Sequence, residues 1–353
     1  MNYSQALENC IFRYISGSHA YGTERPDSDK DIRGVFIAPI KYAFDLFQSS
    51  YVTTTVYGNL LLDIVHLIDN GEYQAAREKA RQSMSPEQGD LNISVATVHN
   101  PGADDEMHEL RRFLKLATDS NPNIVEYLYV DRLILHETPI WKRITNKRDM
   151  FLSKKARYTF SGYAHAQLKR IMVHRGYLLN PPSHKPVRSE FGLPEDTQII
   201  KEHQNAILSL PEKWLKEEAR EYVLKEKEYR KVLEHYNSYM KWDRERNKSR
   251  KELEAKYGFD VKHAMHLVRL CRMGVEIIKH GVVNVYRPDR EELKGILRGK
   301  MKYEDLLNIA ADTDNELEKI YESSPLRHKP DHKGISDLYI SICEEHYGVK
   351  FIH

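Results

Sequence analysis

The chain has 353 residues, a formal net charge of +2 and 41% hydrophobic residues. This length is enough for two or three packed domains, and the balanced charge permits nucleic acid as a partner without requiring it. No apolar run approaches the ~20 residues that span a membrane, which argues against membrane insertion. Residues 1–8 are polar and lack the apolar core of a secretion signal, so we do not expect secretion.

The cysteines add an expectation about the cellular compartment. Cys10, Cys271 and Cys343 are scattered, odd in number and without metal-ligand spacing. This pattern suggests neither a disulfide framework nor a zinc site. We therefore expect a reducing, cytoplasmic environment.

The N-terminal part of the chain predicts an α/β core. Alternating runs at residues 11–15 and 32–37 predict two strands. Further strands are predicted at 51–56, 59–68 and 91–98, with a charged helix at about 71–88. We interpret residues of about 70–100 as an insertion in this core.

A short stretch between the first two strands carries the residues of a phosphate and metal site. Gly17 and Ser18 follow the first strand where a helix should begin, so their backbone N–H groups can hold phosphate oxygens, and Ser18 adds a hydroxyl donor. Asp29 and Asp31 precede the second strand. Residues two apart on a strand point the same way, so both carboxylates can share one Mg²⁺ site.

The order and spacing of these two pairs resemble the signature of the DNA polymerase beta-type nucleotidyltransferases, Gly-Ser followed about ten residues later by Asp-x-Asp. The resemblance implies a polymerase-beta-like core with a mixed sheet and flanking helices. It also implies a nucleoside triphosphate as substrate, two Mg²⁺ ions, and transfer of the nucleoside monophosphate to an acceptor hydroxyl. Gly17 and Ser18 would hold the triphosphate, and Asp29 and Asp31 would bind both metals.

The resemblance implies a third carboxylate on a neighbouring strand, and Asp104 is the first candidate. The segment is similar to the predicted nucleotidyltransferase branch associated with RNA repair, in which an acidic residue precedes a helix. Here the helix reads Leu-Arg-Arg-Phe-Leu-Lys-Leu at 110–116, followed by Asn-Pro-Asn at 121–123 and then Glu126. Asp105, Glu106 and Asp63 remain alternatives.

Residues from Asp104 onward predict an amphipathic helix with acidic residues at its N-terminus. Its buried face would consist of Leu110, Phe113, Leu114 and Ala117. The Asn-Pro-Asn sequence at 121–123 ends this helix and starts another. Glu126 has apolar neighbours there, so its carboxylate requires a partner.

After Asp149 the pattern is overwhelmingly helical, so we expect an α+β protein with two domains. Residues 1–149 would form the catalytic domain, and residues 150–353 an α-helical domain for substrate or nucleotide binding. The predicted helices are 151–175, 196–208, 212–254, 262–280, 290–297, 303–323 and 333–346.

Basic residues in the helical part are candidate contacts for phosphate or acceptor. Lys185 and Arg188 lie in a Pro-rich loop at 177–194, and Lys262 and Arg272 lie on one predicted helix. On that helix Lys262, His266 and Arg269 share a face that would suit a triphosphate or an RNA backbone. The alternative is a core helix with cations that extend to solvent.

The acceptor stays open. An RNA 3′ end, with tRNA foremost, is favoured by the branch resemblance and the basic helical half. A protein hydroxyl, as in adenylylation, or a small molecule could serve instead. A catalytically inactive nucleotide- or RNA-binding module is the non-enzymatic alternative, and the intact Asp29 and Asp31 argue against it.

Overall fold

The structure is a computed structural model that describes residues 2–26, 28–39, 97–100, 104–195, 199, 201–209, 217–246 and 248–350. The predicted elements at 51–56, 59–68 and 71–88 lie outside these residues, together with Asp63 and most of the predicted strand at 91–98. We number the elements within the described residues only. None of the described helices is long and apolar enough to cross a membrane.

The described chain divides into two compact units. The first comprises Met1–His165, Leu267–Gly295 and Asn308–His353, and the second comprises Ala166–His266 and Ile296–Leu307. The first unit is therefore discontinuous in sequence. Whether residues 1–149 and 150–353 act as the two functional domains stays a prediction.

A five-stranded mixed sheet organises the first unit. Its strands are β1 (Cys10–Ile15), β2 (Ile32–Phe36), β3 (Thr97–His99), β4 (Asp105–Glu109) and β5 (Ile134–Glu137). The order across the sheet is β3-β4-β2-β1-β5. Strands β2 and β4 are parallel, and the other pairs are antiparallel. The predicted fold class is confirmed, since a mixed sheet with flanking helices precedes a largely helical C-terminal region.

The described helices of the N-terminal part are short. They are α1 (Tyr3–Glu8), α2 (Gly17–Tyr21), α3 (Leu110–Thr118), α4 (Pro122–Val125) and α5 (Pro139–Thr145). The predicted apolar face of α3 is confirmed, because its four members are buried. One of them, Phe113, packs on Trp141, which in turn stacks on Phe12 of β1 with ring centroids 4.2 Å apart. This packing fixes α3 and α5 against the sheet.

The start of α3 differs from the prediction. Asp105–Glu109 form strand β4 rather than the acidic first turn of a helix. Parallel hydrogen bonding to β2 extends these residues, so the side chains of the half-buried Glu106 and the buried Met107 lie on opposite faces of the sheet. Glu109 caps the helix that follows by accepting a hydrogen bond from the Arg112 N–H at 3.2 Å. The acidic run therefore forms a strand of the sheet and not the first turn of α3.

The C-terminal helices agree closely with the predicted ones. They are α6 (Ala156–Leu179), α7 (Lys201–Leu208), α8 (Glu217–Glu245), α9 (Lys248–Tyr257), α10 (Val261–His280), α11 (Arg290–Leu297), α12 (Tyr303–Tyr321) and α13 (His332–Tyr347). The segment predicted as one helix at 212–254 covers α8 and most of α9.

Within the second unit a buried ion pair and an aromatic cluster join the helices. Arg188 donates two hydrogen bonds to the Glu226 carboxylate on α8, at 3.0 and 2.7 Å. Tyr177 of α6 packs against Trp242 of α8, with ring centroids 5.2 Å apart. Arg246 lies over the Trp242 ring at 3.6 Å.

Candidate active site

Gly17 begins α2 directly after β1 and adopts a conformation that favours glycine. Its φ is +64°, in the left-handed region. A Cβ at this position would overlap the Asp31 carboxylate. Only glycine therefore lets the chain turn this closely past Asp31.

Asp31 is held beside that turn by the end of the sheet. The Ser16 N–H and hydroxyl both donate to the Asp31 carbonyl, at 2.8 and 3.1 Å. The Ile32 N–H donates to the Asp104 carbonyl at 2.9 Å, which extends the parallel pairing of β2 and β4 by one residue. The backbones of Asp31 and Asp104 are thus neighbours.

The side chains of these two aspartates also meet. A hydrogen bond with Asp31 and then one with Arg33 hold the pKa of the Asp104 carboxyl below its ordinary value. Arg33 donates to Asp104 Oδ1 at 2.8 Å, and its Nε lies 3.6 Å from Glu106 Oε2. Burial lowers the pKa of Arg33, but the hydrogen bond to Asp104 and the charges of the neighbouring acidic groups together outweigh that effect and raise it. The carboxylates of Asp104 and Glu106 therefore lie against one guanidinium.

A cavity of about 420 Å³ opens at this edge of the sheet. Its size falls within the range of small-molecule sites, roughly 300–1,000 Å³. It is lined by Gly17, Asp31, Arg33 and Glu106. Further lining residues are Tyr14, Ser16, Tyr21, His108, Arg112, Leu116, Asn121, Asn123, Ile124, Glu126 and Tyr127.

The candidates for the third carboxylate occupy different places. Asp104 contacts Asp31 but is not among the described residues that line the cavity, whereas Glu106 lines it together with Asp31. Asp105 is buried and bound by Arg13 at 2.9 Å and by the Tyr3 hydroxyl, and it does not line the cavity. The alternation of side chains along β4 separates Asp105 from Glu106. Asp63 lies outside the described residues.

The other members of the sequence signature lie around the turn. Asp29 is exposed and does not line the cavity. Ser18 follows Gly17 in α2, and its carbonyl accepts a hydrogen bond from the Thr23 N–H at 2.8 Å. A direct approach of Asp29 to Asp31, as required for one shared metal site, stays a prediction.

Glu126 has the partners that its apolar surroundings required. It is 2% exposed, accepts a hydrogen bond from the Tyr21 hydroxyl at 2.8 Å, and forms an ion pair with Arg269. The Arg269 guanidinium also lies over the Tyr21 ring at 3.9 Å. Arg269 therefore does not present its guanidinium on the helix face considered for phosphate or RNA, because it is buried against a carboxylate.

The four predicted basic contacts differ in their surroundings. Lys185 and Lys262 are exposed. Arg188 is buried against Glu226, and Arg272 is bound by the Asp289 and Glu292 carboxylates at 2.7 and 2.6 Å. Those hydrogen bonds, above all the one to Glu292, raise the pKa of Arg272. Lys185, Arg188 and Lys262 belong to the second unit, so their role at the cavity stays a prediction.

Among the lining residues that were not predicted from the sequence, His108 and Arg112 carry groups that can contact a substrate. Burial lowers the pKa of His108 to about 4, so the ring is neutral at pH 7, and its Nδ1 is 3.0 Å from the Thr97 hydroxyl. The Arg112 Nε is buried without a hydrogen-bond partner among the described residues. An alternating reading of residues 104–108 as a strand would have placed His108 on the same face as Glu106.

The acidic groups at this cavity fit a divalent cation of the Mg²⁺ class. Carboxylate oxygens are the ligands that Mg²⁺ prefers, and the protein commonly supplies only one or two of them. Two adjacent carboxylates repel each other when both are ionised, and either a proton or a cation relieves that repulsion. Asp31 and Asp104 form such a pair, with Glu106 on the same cavity.

Comparison with known protein families matches the part of the chain that holds these residues. Residues 3–177 match the model of the RNA repair pathway DNA polymerase beta family. Among curated proteins and among solved structures, nothing matches the chain. The matched segment includes Gly17, Asp31 and Asp104, and membership implies a polymerase beta-like nucleotidyltransferase of an RNA repair pathway. Through residues 3–177, the chain belongs to the RNA repair pathway DNA polymerase beta family.

Proposed function

We propose that the protein transfers a nucleoside monophosphate from a nucleoside triphosphate to the 3′-hydroxyl of an RNA, with tRNA as the first candidate. The observation that carries this proposal is the contact between Asp31 and Asp104 beside Gly17, at the mouth of a polar cavity. Family membership supports nucleotidyl transfer and the RNA context. The base preference and the RNA acceptor are part of the proposal.

In this proposal the turn at Gly17 and Ser18 holds the triphosphate. Its backbone N–H groups and the Ser18 hydroxyl donate to phosphate oxygens. Asp29, Asp31 and Asp104 hold Mg²⁺, with Glu106 as the neighbouring alternative to Asp104. When bound, Mg²⁺ supplies positive charge that stabilises the attacking and leaving oxygens.

The reaction exchanges one bond to phosphorus for another. The acceptor oxygen forms a bond to the α-phosphorus, the bond from that phosphorus to the bridging oxygen breaks, and pyrophosphate leaves. The hydroxyl proton passes through a carboxylate of the cavity to solvent. The hydrogen bonds with Asp31 and with Arg33 keep Asp104 ionised for these roles, and the Arg33 Nε lies 3.6 Å from Glu106 Oε2.

Cationic side chains orient the phosphates in the same proposal. Arg112 lines the cavity with an unpartnered Nε among the described residues, which suits a phosphate oxygen. Lys185 and Lys262 are exposed and remain proposed contacts for phosphate or RNA. Arg188 and Arg272 already bind carboxylates, so a phosphate would have to compete with Glu226 for Arg188 and with Asp289 and Glu292 for Arg272.

The test is incubation of the purified protein with each α-³²P-labelled nucleoside triphosphate and Mg²⁺, in the presence of total tRNA or of lysate protein. We expect label at the RNA 3′ end, with one triphosphate preferred. The Asp29→Ala/Asp31→Ala double variant should lose this transfer and keep its fold, because acids that bind a metal contribute little to stability without the ion.

Other outcomes would revise the proposal in defined ways. Label on protein alone would replace RNA with a protein hydroxyl as the acceptor. Label that persists in the double variant would refute the role of the two aspartates. No label above that of the double variant would favour a small-molecule acceptor or a binding module, and the RNA proposal would fall. The expected cytoplasmic location is tested separately, by fractionation of cells that produce the protein.

A further inference from the structure

A second group of metal-ligating side chains lies in the second unit. His174 is on α6, Asp260 directly precedes α10, and His263 is in the first turn of that helix. One ligand atom from each residue lies within 4.8 Å of the other two. His263 Nε2 and Asp260 Oδ2 are 3.6 Å apart. The cluster therefore joins two helices through three side chains.

The cluster contains buried polar atoms without hydrogen-bond partners. Asp260 is 2% exposed, and its Oδ1 accepts hydrogen bonds from the Lys262 and His263 N–H groups at 2.9 and 3.0 Å. Its Oδ2 and the His174 Nδ1 have no hydrogen-bond partner among the described residues. Leaving a buried polar atom without a partner is unfavourable, so two such atoms in one cluster indicate an additional ligand.

The imidazole of His263 is oriented as in a metal ligand. Its Nδ1 donates to Gln167 Oε1 at 2.7 Å, which leaves the Nε2 lone pair toward Asp260. A hydrogen bond from the second ring nitrogen is the usual support of a metal-bound histidine. Burial lowers the pKa of His174, and that of His263 to about 4.

We propose that His174, Asp260 and His263 bind one Zn²⁺ ion, with water as the fourth ligand. Two imidazoles and a carboxylate are a donor set that Zn²⁺ takes in tetrahedral sites. Bonds of about 2.0–2.2 Å place neighbouring ligand atoms roughly 3.3–3.6 Å apart, so His263 and Asp260 already have this spacing. His174 completes the shell by approaching the pair by roughly 1.5 Å at most, from a separation of no more than 4.8 Å.

Neighbouring charged residues affect the affinity of this site for a cation. Arg250 Nη1 lies 3.9 Å from Asp260 Oδ2, and Arg170 and Arg246 also lie near enough to lower the pKa of His174. Glu254 is buried, and the neighbouring Asp260 helps to raise its pKa, although burial contributes more. Arg250 is 37% exposed at its side chain, so it can turn to solvent when a cation binds. We therefore expect Arg250→Met to bind Zn²⁺ more tightly than the wild type.

This site is separate from the cavity of the proposed function, and the inference does not rest on nucleotidyl transfer. The ion would tie α6 to the start of α10 within the second unit. Its role is to stabilise that unit, because binding to the folded state alone raises stability with metal concentration. The spacing of cysteines in the sequence suggested no zinc site, and histidines 89 residues apart along the chain (263 − 174) give no local motif.

The test uses untagged full-length protein carrying Asp29→Ala/Asp31→Ala, so that the active-site acids do not compete for metal. After removal of bound metal, Co²⁺ is added while visible absorption and tryptophan emission are recorded. We expect one Co²⁺ per chain with a tetrahedral absorption band that Zn²⁺ abolishes. Trp242 emission should be quenched, since its ring lies 5.5 Å from that of His174.

Variants and a control complete the test. His174→Ala and His263→Ala should each lose the band, whereas His184→Ala should keep it, because His184 is exposed and pairs with Glu190 in the same unit. The parent protein is the Asp29→Ala/Asp31→Ala variant in which all these changes are made. Zn²⁺ should raise the melting temperature of this parent, and it should not raise that of the parent carrying His263→Ala. The proposal is overturned if the parent shows no band, or if the band persists in the His174→Ala/His263→Ala variant. Circular dichroism of the metal-free variants identifies any that fail to fold.

Discussion

At the scale of single residues, the candidate active site depends on how closely Gly17 passes Asp31. The positive φ of Gly17 and the absence of a side chain let the turn lie against the carboxylate. The sequence pattern predicted the turn and the aspartate, because small residues and paired acids have recognisable spacing. It could not predict the contact between Asp31 and Asp104, which are 73 positions apart (104 − 31) and meet only through the sheet.

Gly17→Ala should impair both stability and transfer. An alanine at this φ costs ~1–3 kcal/mol, and its methyl group would displace Asp31. We expect the melting temperature to fall and the rate of nucleotide transfer to fall by at least about tenfold, since Asp31 is a proposed metal ligand and its displacement would cost more than about 1.4 kcal/mol of transition-state stabilisation.

The matched control for that variant is Gly162→Ala. Gly162 lies within α6, is exposed, and a Cβ there would meet no atom within 4 Å. This change should stabilise the protein by ~0.5–1 kcal/mol without altering transfer. Equal effects of the two substitutions on transfer would contradict a specific role for the turn.

Glu109 makes the stability depend on pH. Burial raises the pKa of its carboxyl to about 7 in the folded protein. The unfolded chain releases this proton near pH 4.5, so the folded state binds the proton more tightly, and stability falls as pH rises from 4.5 to 7. The loss should be of order 3 kcal/mol relative to Glu109→Gln, which does not titrate there.

Urea unfolding of both proteins between pH 4 and 8, roughly the span of these two pKa values, measures this difference. The glutamine keeps an oxygen that can accept the Arg112 N–H, so the cap of α3 is retained. Parallel stability curves for the two proteins would refute the raised pKa.

At the scale of elements, helix α3 was predicted from the sequence, whereas strands β4 and β5 were not. The buried face of α3 was predicted correctly, because its 3.6-residue periodicity is a local signal. The five residues before it, rich in acids, were predicted as the helix start, yet they pair with β2. Strand β5 was not predicted, since its residues are largely exposed and show no alternation of burial. Strands β4 and β5 form because each pairs with a strand that is distant in the sequence, and local sequence patterns do not show such pairing.

The link between α10 and the short helix at Glu126–Leu128 should be strongly stabilising. Arg269→Met would leave the Glu126 carboxylate buried with only the Tyr21 hydroxyl as a described partner. Removing one partner of a buried pair typically costs ~3–5 kcal/mol. Chemical denaturation should show a loss of this size.

A double-mutant cycle checks the cause of that loss. Glu126→Gln combined with Arg269→Met removes both charges, so it should destabilise by less than the sum of the single variants. Lys333→Met serves as the surface control, because Lys333 pairs with Asp337 but is 88% exposed at its side chain. It should change stability by less than ~1 kcal/mol. Additive losses at Glu126 and Arg269 would contradict the coupling.

At the scale of the whole molecule, composition and helical periodicity predicted an α+β core followed by helices, and the structure confirms it. The discontinuous first unit could not be predicted, because segments at 267–295 and 308–353 join it through tertiary contacts alone. The exposed Lys185 and Lys262 and the buried Arg188 also look alike in the sequence. Arg188 differs from the two lysines because it is buried against the Glu226 carboxylate.

The central claim is that Asp31 and Asp104 form one site for nucleotidyl transfer, and a comparison of rates tests it most directly. The measurement is the initial rate of transfer from α-³²P-labelled triphosphate to tRNA by Asp31→Asn, Asp104→Asn and the exposed control Asp131→Asn. The account predicts that the first two lose at least about 100-fold while the control retains the wild-type rate. Transfer at the wild-type rate by Asp31→Asn or by Asp104→Asn would contradict it.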